Sequence, residues 1–377
     1  MSKNILNAPF RADIVGSFLR PEEIKVARVK FAKGDITSEE LKQVEDKCIA
    51  ELIEKQKKAG LQVITDGEFR RSYWHLDFFW GLNGVEHTVK EQGYLFHGEE
   101  TRPDSAWLVD QIRYNPNHPV FEEFTFLTQL VDAKHIRQSI PAPAQLYAEL
   151  VREDNAAKID RYYADHEALY EDIIQAYRET ILQLYALGCR HLKLDDCTWG
   201  FFVDTSYAEI LNLDQSALDA LQQVYLRLNN GAIADLPEDL IVTTHVCRGN
   251  YHSTWAMAGG YEPVGNTLLA NEHVDAFFLE FDDERAGDFE PLRFLPEGKK
   301  VVLGLVTSKS GELEEKESII SRIHEASQYV PLEQIYLSPQ CGFASTEEGN
   351  ILTEEAQWQK IQLINDITET VWGQTSK

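Results

Sequence analysis

Positive charge is scarce in this chain. Its 377 residues hold 36 Lys and Arg against 62 Asp and Glu, a formal net charge of −26. A surface that acidic repels phosphate backbones and anionic headgroups, which sets aside nucleic acid and membrane as partners. Long apolar runs are missing as well: the stretch 301–306 is among the longest, far short of the roughly 20 residues of a membrane span. Residues 1–12 carry no apolar signal core, so a cytoplasmic location is expected. Cysteine is sparse: Cys48, Cys189, Cys197, Cys247 and Cys341 are odd in number and widely spaced. That pattern argues against a disulfide framework and for reduced thiols serving a core or a metal. No Walker A loop, H-E-x-x-H, EF-hand loop or G-x-S-x-G elbow stands in the sequence, and no G-x-G-x-x-G follows the first strand. Nucleotide-dependent, zincin, α/β-hydrolase and Rossmann readings therefore fall back.

What is present is a globular composition, 43% hydrophobic and 26% charged. The length allows two or three ordinary domains or one large α/β barrel. Short β-rich runs alternate with helical patterns. Strands are expected at 13–18, 62–66, 135–141, 191–195, 240–245, 276–280, 301–305 and 334–337. Thr37 and Glu40 form a capping box ahead of an apolar helical face (Leu41, Val44, Cys48, Ile49, Leu52, Ile53), and Gly60 ends that helix. Further helices are expected over 158–187 and 215–228. Eight strands separated mostly by helices predict a (β/α)8 TIM barrel, a single catalytic domain spanning 1–377. The stretch 81–132, between strands 2 and 3, is too long for a simple crossover and is rich in aromatics; it reads as an inserted excursion, a hairpin against the barrel mouth, serving as a flap or a lid.

In such a barrel the chemistry sits where strands end. The strand ends here are Val15, Gly16 and Ser17; Asp66, Gly67 and Glu68; Asp195, Asp196 and Cys197; His245 and Cys247; Glu280; and Cys341. His245, Cys247, Glu280 and Cys341 are of the types that ligate zinc, and a His-x-Cys pair on an extended segment points both side chains the same way. A buried histidine beside an inert core cysteine is the plainer alternative. Glu68 and Asp195 suit a substrate ammonium group or acid/base work, and equally a solvated strand end or a helix cap. Arg70, Arg71 and Arg248 are available to pair with these acids, and Ser17 after Gly16 can face an anion or cap a helix.

Five motifs, in order, carry a resemblance: Ile14-Val15-Gly16-Ser17-Phe18, Asp66-Gly67-Glu68-Phe69-Arg70, Leu194-Asp195-Asp196, His245-Val246-Cys247 and Ser338-Pro339-Gln340-Cys341-Gly342. Together they resemble the catalytic domain of cobalamin-independent methionine synthase, and Cys247-Arg248-Gly249-Asn250-Tyr251 resembles its short single-domain relatives. The resemblance implies a zinc ion held by His245, Cys247, Glu280 and Cys341, with Glu272 and Glu284 as alternatives to Glu280. It implies homocysteine held at its ammonium by Glu68 and Asp195, at its carboxylate by Val15, Gly16 and Ser17, with Arg248 close by. The implied activity is methyl transfer to homocysteine to form methionine, from a folate or a corrinoid donor, free or protein-bound; the resemblance allows a homodimer. Where the two-domain enzyme has a histidine suited to protonate a folate leaving group, this chain has Thr307, and His75 is the substitute expected. A zinc hydrolase or lyase, and a thiol-binding barrel without turnover, are the competing readings.

Overall fold

The computed structural model describes residues 8–204, 206 and 213–373; residues 1–7, part of the N-terminal stretch read above, lie outside the described residues, as do the ends of the 1–377 domain. Two strands come first, β1 (Asn83–Val89) and β2 (Asp104–Arg113), paired antiparallel. They form a hairpin within the stretch 81–132, followed by the helix Pro119–Thr128. Six further strands, β3 (Arg137–Pro141), β4 (His191–Asp196), β5 (Ile241–Val246), β6 (Ala276–Glu280), β7 (Lys300–Val306) and β8 (Ile335–Pro339), form one parallel sheet in sequence order. Helices return the chain between most of them, among them His166–Ala186, Gln215–Ile233, Glu262–Asn271 and Lys316–Ala326. Between β6 and β7 the return consists of two 3-10 turns, Glu284–Ala286 and Glu290–Phe294.

Both faces of this sheet are buried, which is why its strands read as near-continuous apolar runs. Leu192, Leu194, Val242, Phe277, Leu279, Val301, Leu303 and Leu337 belong to the main core shared with the helices. On the opposite face Val15, Phe278, Val302 and Tyr336 make a small separate cluster.

Among the described residues the sheet has six strands where eight are expected. In place of ladders there are isolated parallel bridges, from Ala12, just before 13–18, to Leu337 of β8, and from Ile64, within 62–66, to Ile136 beside β3. Side chains supply the reason. The Asp13 carboxylate accepts from the N–H groups of Phe10 (2.9 Å) and Ile14 (2.7 Å), and Arg137 donates to the Ile14 carbonyl (2.9 Å). In the second segment, Gln56 accepts from Thr65 N–H (3.1 Å) and donates to the Thr65 carbonyl (2.8 Å). Backbone groups bonded to side chains are lost to a strand ladder.

Other elements depart less. The capping box is present: Thr37 Oγ1 accepts from Glu40 N–H (3.2 Å) and Glu40 Oε2 from Thr37 N–H (2.8 Å), opening the helix Ser38–Lys58. The helix expected over 158–187 is two, Ala156–Tyr162 and His166–Ala186, because Asp165 turns extended and caps the second through Ala168 N–H. No helix among the described residues is long and apolar enough to cross a membrane.

The hairpin's connecting loop reaches over the segment after β5. His97 N–H donates to the Trp255 carbonyl (2.7 Å) and Thr254 Oγ1 to the His97 carbonyl (2.9 Å). The His97 and Trp255 rings stack at 4.8 Å and Phe96 packs on Tyr251 at 5.3 Å.

Candidate active site

Parallel register builds the site. Asp195 on β4 pairs with His245 on β5, which pairs with Phe278 on β6; Glu280 follows two residues on. Strand side chains alternate, so Asp195, His245 and Glu280 share the inner face, and Cys247 continues it. Cys341 arrives from the turn after β8. The ligand atoms of His245, Cys247, Glu280 and Cys341 lie within 4.8 Å of one another, and all four residues are buried.

Three observations fit a metal ion to this cluster. The thiols of Cys247 and Cys341 are 3.7 Å apart, close to the ~3.8 Å edge of a tetrahedron with bonds of about 2.3 Å to sulfur. Both ring nitrogens of His245 and Oε2 of Glu280 are buried without hydrogen-bond partners among the described residues, which is costly unless another group meets them. The groups also crowd one another: a hydrogen bond with Cys247, then burial, push the Cys341 thiol well above its usual range. Burial pushes the Glu280 carboxyl up too, against Lys309, whose Nζ stands 4.0 Å away. A bound cation relieves each of these strains. Glu280 is fixed in place: its Oε1 accepts from Arg248 N–H (2.9 Å).

Glu272 and Glu284 do not join the cluster. Glu272 lies behind the sheet, fully buried, its Oε1 3.3 Å from Asn229 Nδ2. Glu284 is exposed on a 3-10 turn.

Beside this cluster stand the two expected acids. Gly67 (φ +70°) and Glu68 (φ +61°) are both left-handed, and Asp66 Oδ1 accepts from Glu68 N–H (2.8 Å). A left-handed glutamate costs of order 1 kcal/mol, and such strain collects at functional positions. The turn sends Glu68 inward, where its Oε1 accepts from Ser139 Oγ (3.0 Å) and stands 3.5 Å from Arg71. Burial pushes the Glu68 carboxyl up, with Arg71 opposing. Asp195 bonds Lys193. Arg70 turns outward to Glu45 and Asp46.

Gly16 (φ +144°) gives its carbonyl to Thr65 Oγ1 (2.6 Å), and Ser17 Oγ accepts from Ala344 N–H (3.3 Å), tying the first segment to the turn that carries Cys341. Val15 points into the small apolar cluster on the inner face. Arg248 directs its guanidinium to the Glu280 carbonyl (3.1 Å) and the Tyr261 ring (4.1 Å), bracing a cluster member; Glu68 and Asp195 have Arg71 and Lys193 as their cations.

His75 differs from what the sequence suggests. It is 4% exposed, its Nε2 meets Tyr94 Oη at 3.1 Å, and burial pushes its pKa down to about 3. A ring kept neutral at neutral pH has no proton of the required kind to give, so its surroundings oppose the acid role. Thr307 Oγ1 accepts from Lys309 N–H (3.2 Å) and bonds Asp282.

Sequence reasoning assigned no role to Lys193 or Cys197. The signal for Lys193 was its period-two spacing from Asp195. For Cys197 it was the register: Cys247 N–H donates to the Asp196 carbonyl (3.0 Å), which brings the segment after β4 alongside Cys247.

An α/β protein with a buried His, Cys, Glu and Cys cluster of the kind that can hold a metal, at the C-terminal edge of a parallel sheet, is the class that this fold and site define. Within it the assignment is specific. Residues 10–357 match the catalytic domain of the cobalamin-independent synthases, and the chain belongs to that family of methyltransferases. It is 44% identical to the uncharacterized protein YxjH of Bacillus subtilis (strain 168), over 97% of this chain and 95% of that one. It is 24% identical to a methionine synthase of Pyrococcus abyssi (strain GE5 / Orsay), over 87% of this chain and 85% of that one. Among solved structures, a Listeria monocytogenes protein described as a candidate vitamin-B12-independent methionine synthase superposes with a TM-score of 0.76 at 37% identity, covering 97% of this chain and 99% of its own.

Proposed function

We propose that this protein is a zinc-dependent thiol methyltransferase that makes methionine from homocysteine. The observation that carries the reading is the buried convergence of His245, Cys247, Glu280 and Cys341 with unpartnered nitrogen and oxygen atoms. Family membership and the methionine synthase relatives support it. Zinc held by these four residues supplies the charge that keeps a substrate thiol deprotonated at neutral pH, where a free thiol of pKa about 8.5 is mostly protonated.

The chain's own residues do the rest. Glu68 and Asp195 take the substrate ammonium, and segment 15–17 lies on the carboxylate side. The register that sets Asp195 beside His245 aims a bound amino acid's side chain along the sheet edge toward the thiols. Glu280 would be the one hard oxygen donor in the set, and Lys309, with its Nζ 4.0 Å from the Glu280 carboxylate, stands where it would balance that charge. We further propose that segments 13–18 and 62–66 close the sheet into an eight-stranded barrel, all in one domain. The bridges at Ala12 and Ile64 and the bond from Phe18 N–H to the Gly67 carbonyl (3.1 Å) support this closure. A cytoplasmic location fits the reduced thiols the chemistry requires.

The test is methionine formation by the zinc-loaded protein from homocysteine, with monoglutamyl methyltetrahydrofolate and with methylcobalamin in separate reactions. Turnover with the first assigns a folate donor and with the second a corrinoid. Full activity and full zinc content in both Cys247→Ser and Cys341→Ser would refute the reading.

A further inference from the structure

The carboxylate pair proposed above for the substrate ammonium has beside it a buried cation that the chemistry above does not use. Lys193 lies on the inner face of β4, two residues before Asp195, with its side chain 1% exposed. Its Nζ donates to Asp195 Oδ1, and its Cε lies 4.0 Å from where a Cβ on Gly16 would stand. Lys193 thus spans the gap between segment 15–17 and the carboxylate pair. An ammonium carries three donors, so the bond to Asp195 leaves capacity for another acceptor.

Glu68, the other member of the pair, has the complementary need. Glu68 Oε2 is buried and has no hydrogen-bond partner among the described residues. An acceptor lacking a donor on one side and a cation with donors to give on the other together match a zwitterion. Charge agrees: Glu68 and Asp195 are balanced by Arg71 and Lys193, so a molecule of zero net charge enters without unbalancing a buried site.

We infer that Lys193 is a specificity-determining residue that binds the α-carboxylate of the substrate and restricts the site to thiols built on an α-amino acid. This rests on the homocysteine reading above. A buried charge-assisted hydrogen bond of this kind contributes about ten- to a hundredfold in affinity.

The experiment compares L-homocysteine with 3-aminopropane-1-thiol, which keeps the amine and thiol and lacks the carboxylate. Binding of each to the zinc-loaded full chain is measured by calorimetry for wild type, Lys193→Met, Lys193→Gln and Lys193→Arg, with thermal melts to confirm folding. Wild type should prefer homocysteine. Both neutral variants should bind homocysteine about ten- to a hundredfold more weakly. Their affinity for the aminothiol should be unchanged or higher, because Asp195 is freed. Lys193→Arg should recover part of the loss, and in turnover KM for homocysteine should rise with kcat within about twofold. Equal weakening of both thiols in the neutral variants, or unchanged homocysteine affinity, overturns the assignment. Wild type that binds neither thiol overturns the homocysteine reading itself, and the role of Lys193 falls with it.

Discussion

Replacing Asp13 by Asn tests how the first segment is held without its ladder. Asp13 and Arg137 form a two-pronged ion pair, at 2.7 and 2.9 Å, with side chains 0% and 1% exposed. Asn keeps the shape and one acceptor but strands the Arg137 charge in the interior. Breaking a buried pair from one side costs about 3–5 kcal/mol. With unfolding entropy near 2 cal/mol/K per residue, a chain of this length loses about 4–6 °C in Tm. Changing both partners, Asp13→Leu with Arg137→Met, should recover only part of that. The N–H groups of Phe10 and Ile14 then lose their acceptor, at about 1–3 kcal/mol each. Calorimetric melts at pH 7 decide the matter. An Asp13→Asn protein that melts within 1 °C of wild type would show, against an expected ~4–6 °C, that the pair does not anchor the segment.

Zinc analysis of single variants should find metal lost from Cys247→Ala and Cys341→Ala and kept near one equivalent in Cys197→Ala; equal loss from all three would enlarge the ligand set. Treatment with a chelator should abolish methyl transfer, and added zinc should restore it; activity that survives dialysis against chelator at zero metal content contradicts the mechanism. His75 is neutral in the folded chain down to about pH 3, against 6.5 for the free ring. The unfolded state therefore binds the extra proton first, and stability falls as pH drops through 6.5 toward 3. In His75→Gln this acid loss should be shallower in urea titrations between pH 7 and 4. Glu272 has the opposite sign: burial raises its carboxyl to about 8, so it opposes folding increasingly as pH rises from 4.5 to 8. Glu272→Gln should gain stability over wild type at pH 8 and little at pH 4, and a gain of equal size at both pH values would contradict the burial argument.

The buried parallel strands were legible because burial on both faces leaves an unmistakable composition: 276–280 coincides with β6, and β4, β5, β7 and β8 differ from expectation by a residue or two. The convergence of His245, Cys247, Glu280 and Cys341 was legible for a related reason. Strand ends are few, and His, Cys and Glu at those ends converge wherever the register is parallel. Segments 13–18 and 62–66 read the same way from their apolar residues, yet they form no ladder, because Asp13 and Gln56 take the backbone bonds. Such competition depends on which side chains meet in space, and Gln56 is nine residues from the Thr65 it satisfies. The burial of His75 among rings such as Tyr94 and Phe79 was not legible for the same reason, since spacing does not reveal which rings meet in space.

The hairpin loop that closes over Thr254 and Trp255 ties two distant stretches of chain into one exchangeable unit. Its contacts go to the segment that directly follows Cys247, so the segment carrying a cluster cysteine is shaped partly by residues about 150 positions earlier. A chimera that imports the β5 loop of a relative while keeping this hairpin would replace Tyr251, Thr254 and Trp255, and so take from Phe96 and His97 the ring and backbone partners they have here. Recombination between relatives should therefore preserve function when the crossover points keep 90–103 and 247–257 from the same parent, and lose it when they do not.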